Sequence, residues 1–228
     1  MNFISEPQAI EIKSMAIIDQ LLRAAYEQAG SLPYKPALPG AAFWREEEKV
    51  IVKRIIHATG DPDLARLVVI HPGAVQAAFA VFSAGKKIIT DVKMVKAGIN
   101  LNKTRKDDIE IYCAIDEPAV VREATAQKQT RAMVAIRHLA KFTTGNMVVI
   151  GNAPTALWEL INLIKAGKVK PAVIIATPVG FVGAAEAKEA LGRLTLPYIT
   201  VHGTKGGSPI AVSVVNALYK LYLENIIN

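Results

Sequence analysis

The chain has 228 residues and a net charge of +7, with 51% hydrophobic, 21% charged and 6% aromatic residues. This suits one globular α/β core and excludes several classes. No apolar run approaches the roughly 18 residues of a membrane-spanning helix, the start MNFISEPQAIEIK lacks the pattern of a secretory signal, and basic residues are scattered rather than gathered with stacking aromatics, so a cytoplasmic protein with no membrane or nucleic-acid partner is expected.

The first helix is predicted from Ser5, with Gln8 at capping-box spacing, to Gly30. Its apolar stripe is Ile10, Ile17, Ile18, Leu21, Leu22 and Ala25. A Pro-rich connector, SLPYKPALPGAAF, follows, and a second helix runs from about Trp44 to Thr59, ending at Gly60. Leu67–Ile70 reads as a short strand, and His71-Pro72 opens a small-residue helix that ends near Gly85. Further strands are expected at Ile88–Val92, Ile109–Ile115, Met147–Ile150, Val173–Ala176 and Tyr198–Val201. The helices between and after them are Met94–Ala97, one long helix Ala119–Phe142, Pro154–Ala166, Gly183–Leu191 and Pro209–Leu223. Cys113, the single cysteine, falls in IYCAI and reads as a buried strand residue.

Apolar strands alternating with helices predict a three-layer α/β fold, a largely parallel sheet with helices on both faces. It is expected as a single domain, with amino-terminal helices over about residues 5–60 and the sheet-forming part over about 67–223. The order of the strands does not follow from the pattern.

In such sheets ligands gather at the carboxyl ends of the strands. Three loops sit there: Gly151–Ala156, Thr177–Glu186 and His202–Ser208. Each opens a helix, whose free N–H groups and dipole favour anions. The plain alternative is that their glycines only make tight turns. The positive charge steers an anionic ligand or serves solubility alone. The phosphate motif GxxxxGK[ST] is missing, Gly180 and Gly183 make only a fragment of GxGxxG, and HExxH, CxxC and GxSxG are absent. No metal or cofactor is expected.

On a helical wheel of the second helix, Ile51, Val52, Ile55 and Ile56 form the apolar stripe, and His57 lies on the opposite flank with Lys53 and Arg54. His57 also occupies the last turn, where the helix dipole favours positive charge. That suits a proton donor; the alternative is a solvated histidine in a basic helix end. Ser14 falls inside the apolar stripe of the first helix, either bonded back to a carbonyl or aimed at a ligand.

GNAPTAL, KPAVIIATPVGFVGAAEAKEAL and PYITVHGTKGGS, with KSMAII, VKRIIHATGD, TDVKMVKAGI and QTRAMVA upstream in the same order, resemble the precorrin-8X methylmutase family of cobalamin biosynthesis over most of the chain. The resemblance implies an isomerase that moves a methyl group from C-11 to C-12 of precorrin-8X, or its cobalt form, to give hydrogenobyrinic or cobyrinic acid. It implies His57 as the proton donor or acceptor, and Ser14, Arg54 and Arg131 as contacts for a polycarboxylate substrate. It also implies a homodimer with the site near the subunit interface, and contact with neighbouring pathway enzymes. The connector before VKRIIHATGD is longer than the family's usual one. The competing readings are a corrinoid carrier without turnover and an unrelated nucleotide-binding α/β enzyme.

Overall fold

The computed structural model describes residues 6–29, 44–101 and 109–227. The expected cap at Ser5, the stop at Gly30, the Pro-rich connector and the side chain of Ala25 lie outside the described residues. Among those residues six strands form one sheet: β1 (Val68–Ile70), β2 (Ile88–Thr90), β3 (Ile111–Tyr112), β4 (Met147–Ile150), β5 (Val173–Ala176) and β6 (Tyr198–Val201). Their order is β1-β6-β5-β4-β2-β3. Only β1 runs antiparallel to its neighbour, with Ile70 opposite Ile199; the other pairs are parallel.

Side chains alternate across a strand, and the alternation divides the interior into two cores. Met147 and Val149 of β4 enter one core with Val173 and Ile175 of β5; Val148 and Ile150 enter the other with Ile174 and Ala176. The first core is covered by α1 (Pro7–Ala29), α2 (Glu46–Thr59), α3 (Ala74–Ser83), α4 (Lys93–Gly98) and α9 (Ser208–Ile227). The second lies under α5 (Pro118–Gln127), α6 (Arg131–His138), α7 (Pro154–Lys165) and α8 (Ala184–Gly192). The result is the expected three-layer α/β arrangement.

Three expectations are corrected. The long helix over Ala119–Phe142 is broken into α5, α6 and a 3-10 turn at Ala140–Phe142. Lys128 closes α5 in the left-handed region at φ 53°, and Thr130 starts α6 by accepting the Met133 N–H on its hydroxyl; a cap of this kind competes with helix continuation. The strand expected over Ile109–Ile115 shrinks to Ile111–Tyr112, and Cys113 lies beyond it, half-buried rather than buried. The stripe of α1 is covered on one side only. Ile18 and Leu22 are buried, while Ile10, Ile17 and Leu21 are each more than 40% exposed.

The carboxyl edge is held together by Asp91, just after β2. Its buried carboxylate accepts the backbone N–H groups of Gly151, Asn152 and Ala153 at 3.0, 2.9 and 2.8 Å. Burial pushes this carboxyl above its ordinary pKa, and the three N–H bonds pull the other way. Gly151 is in turn where two helices close on the sheet. A Cβ there would lie 2.6 Å from Val95 of α4, 2.9 Å from the Ser208 backbone and 3.1 Å from Ala211 of α9. Gly151→Ala should therefore lower stability by at least about 1–3 kcal/mol through overpacking, read from the urea midpoint; an unchanged midpoint would contradict the packing described.

Candidate functional site

α2 runs from the amino edge of the sheet to the carboxyl edge. At its start the Arg45 guanidinium bonds Glu48 of the first turn and donates to the Pro72 carbonyl at 2.9 Å. Pro72 follows β1, whose end faces the beginning of β6. At the other end, Asp61 just beyond the helix pairs with Lys205 in the loop after β6. α2 packs along α9, burying Ile51, Val52, Ile55 and Ile56, each at most 2% exposed. The opposite flank, with His57, is left open: His57 is exposed in the last turn.

Between α2, α9 and the end of α4 lies a groove of about 470 Å³. α2 contributes Arg54, His57 and Ala58, Asn100 enters after α4, and α9 contributes Pro209, Val212, Ser213, Asn216, Ala217 and Lys220. Asn216 ties the walls, accepting from the Asn100 N–H at 2.9 Å and donating to the Gly98 carbonyl at 3.1 Å. Its lining mixes apolar Ala58, Pro209, Val212 and Ala217 with polar Asn100, Ser213 and Asn216, and carries two cations, Arg54 and Lys220, beside an imidazole. Such a surface suits a ligand with an apolar body and carboxylate arms.

The sequence-derived residues divide. Arg54 and His57 share the groove. The Arg54 guanidinium is held by Glu11 of α1, and Lys220 reaches the same carboxylate at 3.5 Å. The hydrogen bond and charge of Arg54 keep the Glu11 carboxyl below its ordinary value. An incoming carboxylate would therefore compete with Glu11 for both cations. Ser14 is half-buried on α1, about one turn beyond Glu11, and is not among the described residues lining the groove. Arg131 is not brought to His57. It begins α6 in the other helical layer, exposed, 3.4 Å from Asp116, whose carboxylate also pairs with Lys93; Lys93 first, with Arg131 adding to it, holds that carboxyl low.

The loops also depart from expectation. The N–H groups of Gly151–Ala153 are spent on Asp91, so this loop does not offer them to an anion. The loops after β5 and β6 are joined to each other: Gly207 N–H donates to Thr177 at 2.7 Å and Gly180 N–H to Thr204 at 3.1 Å. Phe181 and Val182 stand at the tip, 93% and 89% exposed. Asn100, Ser213, Asn216 and Lys220 were not anticipated. The α9 residues have a legible signal, since PxxVSxxNAxxK from Pro209 to Lys220 is a polar and small stripe at helical spacing. Among the described residues no cluster of His, Cys, Asp and Glu is arranged to hold a metal ion.

Fold and groove together define a three-layer α/β protein with a cation-bearing groove at the carboxyl edge of its sheet. Residues 9–221 match the family described as precorrin-8X methylmutase. The cobalt-precorrin-8 methylmutase of Priestia megaterium is 40% identical over 213 residues, covering 93% of this chain and 87% of its own length. The precorrin-8X methylmutase of Pseudomonas aeruginosa is 39% identical, with 96% and 97% covered. The crystal structure of the precorrin-8X methyl mutase from Thermus thermophilus superposes with a TM-score of 0.78 at 34% identity, covering 96% of this chain and 97% of that one. The chain belongs to the precorrin-8X methylmutase family, isomerases of cobalamin biosynthesis.

The Glu11 contact has a definite pH signature. Its carboxyl is held below the ordinary 4.5 by Arg54, so the folded state binds fewer protons than the unfolded chain around and below that value. The stabilisation is complete above pH 4.5 and is lost as pH falls through the lowered value. Glu11→Gln should cost under about 1 kcal/mol above that pH, because the pair is partly exposed. The difference from wild type should shrink on further acidification, as measured by urea midpoints on both sides.

Proposed function

We propose that this chain moves the methyl group of precorrin-8X, or of cobalt-precorrin-8, from C-11 to C-12, giving hydrogenobyrinic or cobyrinic acid in the cytoplasm. The observation that carries the reading is His57, exposed in the wall of the groove with Arg54 one turn before it. The reaction is an isomerisation: the C-11–methyl bond breaks as the C-12–methyl bond forms, with no net gain or loss of electrons. What the protein must supply is orientation and one mobile proton. Arg54, released from Glu11, clamps one carboxylate arm. His57, protonated, donates to the macrocycle and makes the ring electron-poor where the methyl migrates, and it recovers the proton when the product forms.

Ser14 and Arg131 serve the same substrate in a dimer. Support comes from α1, where Ile10, Ser14, Ile17 and Leu21 line one face at helical spacing and the three apolar residues are more than 40% exposed. An apolar face of this kind fits a second copy of the chain, and Arg131, remote from His57 within one subunit, then enters from the partner. Neighbouring enzymes of the pathway are the further expected contact.

His57→Ala should lower kcat at least about 100-fold while binding hydrogenobyrinic acid normally, followed by the change of chromophore as precorrin-8X is consumed. Turnover at the wild-type rate would refute the assignment of His57. Ile17→Glu should shift the protein to monomer in sedimentation velocity; a wild-type dimer in that variant would place the interface elsewhere.

A further inference from the structure

One buried charge has no part in the chemistry above. Lys188 of α8 is 1% exposed. Its ammonium donates to two backbone carbonyls, Pro178 at 3.0 Å and Lys205 at 2.7 Å, and among the described residues no carboxylate is paired with it. Burial without an opposing charge holds its pKa down to about 8. An ammonium in such a place is costly, whereas an apolar side chain of similar length fills the space without that cost. What the lysine alone does is draw two carbonyl groups from different loops onto one donor.

Those are the loops after β5 and β6, and their backbones approach more closely than side chains permit. A Cβ on Gly206 would lie 2.4 Å from the Thr177 carbonyl oxygen and 2.5 Å from that of Pro178. The second loop passes the constraint on. Lys205, whose carbonyl is held by Lys188, sends its own ammonium to Asp61. Asp61 follows Gly60, which ends α2 immediately after the turn that bears His57. The same loop leads into Ser208 and Pro209, where α9 begins to line the groove.

We infer that Lys188 is a positioning residue for the methyl migration, clamping the two loops and, through Lys205 and Asp61, fixing where the last turn of α2 presents His57 to the groove. The inference rests on His57 acting in that groove.

The test compares Lys188→Met, Lys188→Arg, Lys205→Met, Asp61→Asn and the double variant K188M/D61N in the full-length chain. Each is assayed for kcat and KM on precorrin-8X, binding of hydrogenobyrinic acid, and thermal midpoint. K188M should lose about 10- to 100-fold in kcat, the scale set by a small misplacement of a reacting group. Its KM should stay within about threefold of wild type, its midpoint should be no lower, and K188R should recover part of the rate. D61N and K205M should show smaller losses of the same kind. The double variant should be no slower than K188M, because both changes cut one chain of contacts. Wild-type kcat in K188M, or losses that multiply in the double variant, overturns the inference. Should K188M not fold, wild-type kcat in both D61N and K205M overturns it, since those side chains are partly exposed and removable. A His57→Ala variant with full activity would sink the underlying site; a dead His57→Ala beside a fully active K188M would sink only the role of Lys188.

Discussion

The carboxylate of Asp91 organises the carboxyl edge of the sheet. It stands after β2, yet all three of its backbone donors belong to the loop after β4. Adjacent strand ends are thereby locked, and Gly151 is fixed where Val95 of α4 and the start of α9 come too close to leave room for a side chain. Had that carboxylate not been there, three N–H groups, those of Gly151 and Ala153 buried, would need water or a ligand. With it, the loop is structural, and the groove forms to one side, where α9 leaves the edge.

The second determinant is the direction of α2. Crossover helices of a parallel sheet begin at the carboxyl edge and point their amino ends toward a ligand. α2 precedes the sheet in the chain and runs the other way, so it delivers its carboxyl end there instead. A cationic or imidazole side chain is at home in that position, and His57 stands there with Arg54 one turn back. The electrostatics of the groove are balanced internally, since Glu11 occupies Arg54 and Lys220. Under the proposed function, a substrate carboxylate would replace an internal partner rather than meet a bare charge, which would limit what binding gains and couple α1 to occupancy of the groove.

Much of the fold was legible because its signals are local. Met147–Ile150, Val173–Ala176 and Tyr198–Val201 are short β-branched runs bounded by turn residues, and each forms the strand expected. Gly60 ends α2 where the pattern predicts. The failures came where a local signal is weak or has two readings. The break between α5 and α6 depends on Lys128 adopting a left-handed conformation and on Thr130 turning its hydroxyl to the backbone; neither interrupts the helical pattern of apolar residues. The run Ile109–Ile115 has strand-forming residues, but only two find a partner strand at the sheet's edge. Of the site, His57 was visible as a polar residue off the apolar stripe, and Arg54 beside it, whereas Lys188 looked like any helix lysine.

Periodicity and turn chemistry by themselves determined that this chain builds a three-layer α/β fold with its loops of interest at one edge, because hydrophobic spacing and glycine placement act over a few residues. The motifs in their order also carried the family. Tertiary structure alone decided that Asp91 consumes the donors of the Gly151 loop, that Glu11 holds Arg54, that Arg131 stands apart from His57, and that Lys188 ends buried on two carbonyls. The contacts among these span from 10 to 62 positions, and which polar group meets which is settled only when the strands take their order and the helices pack on them.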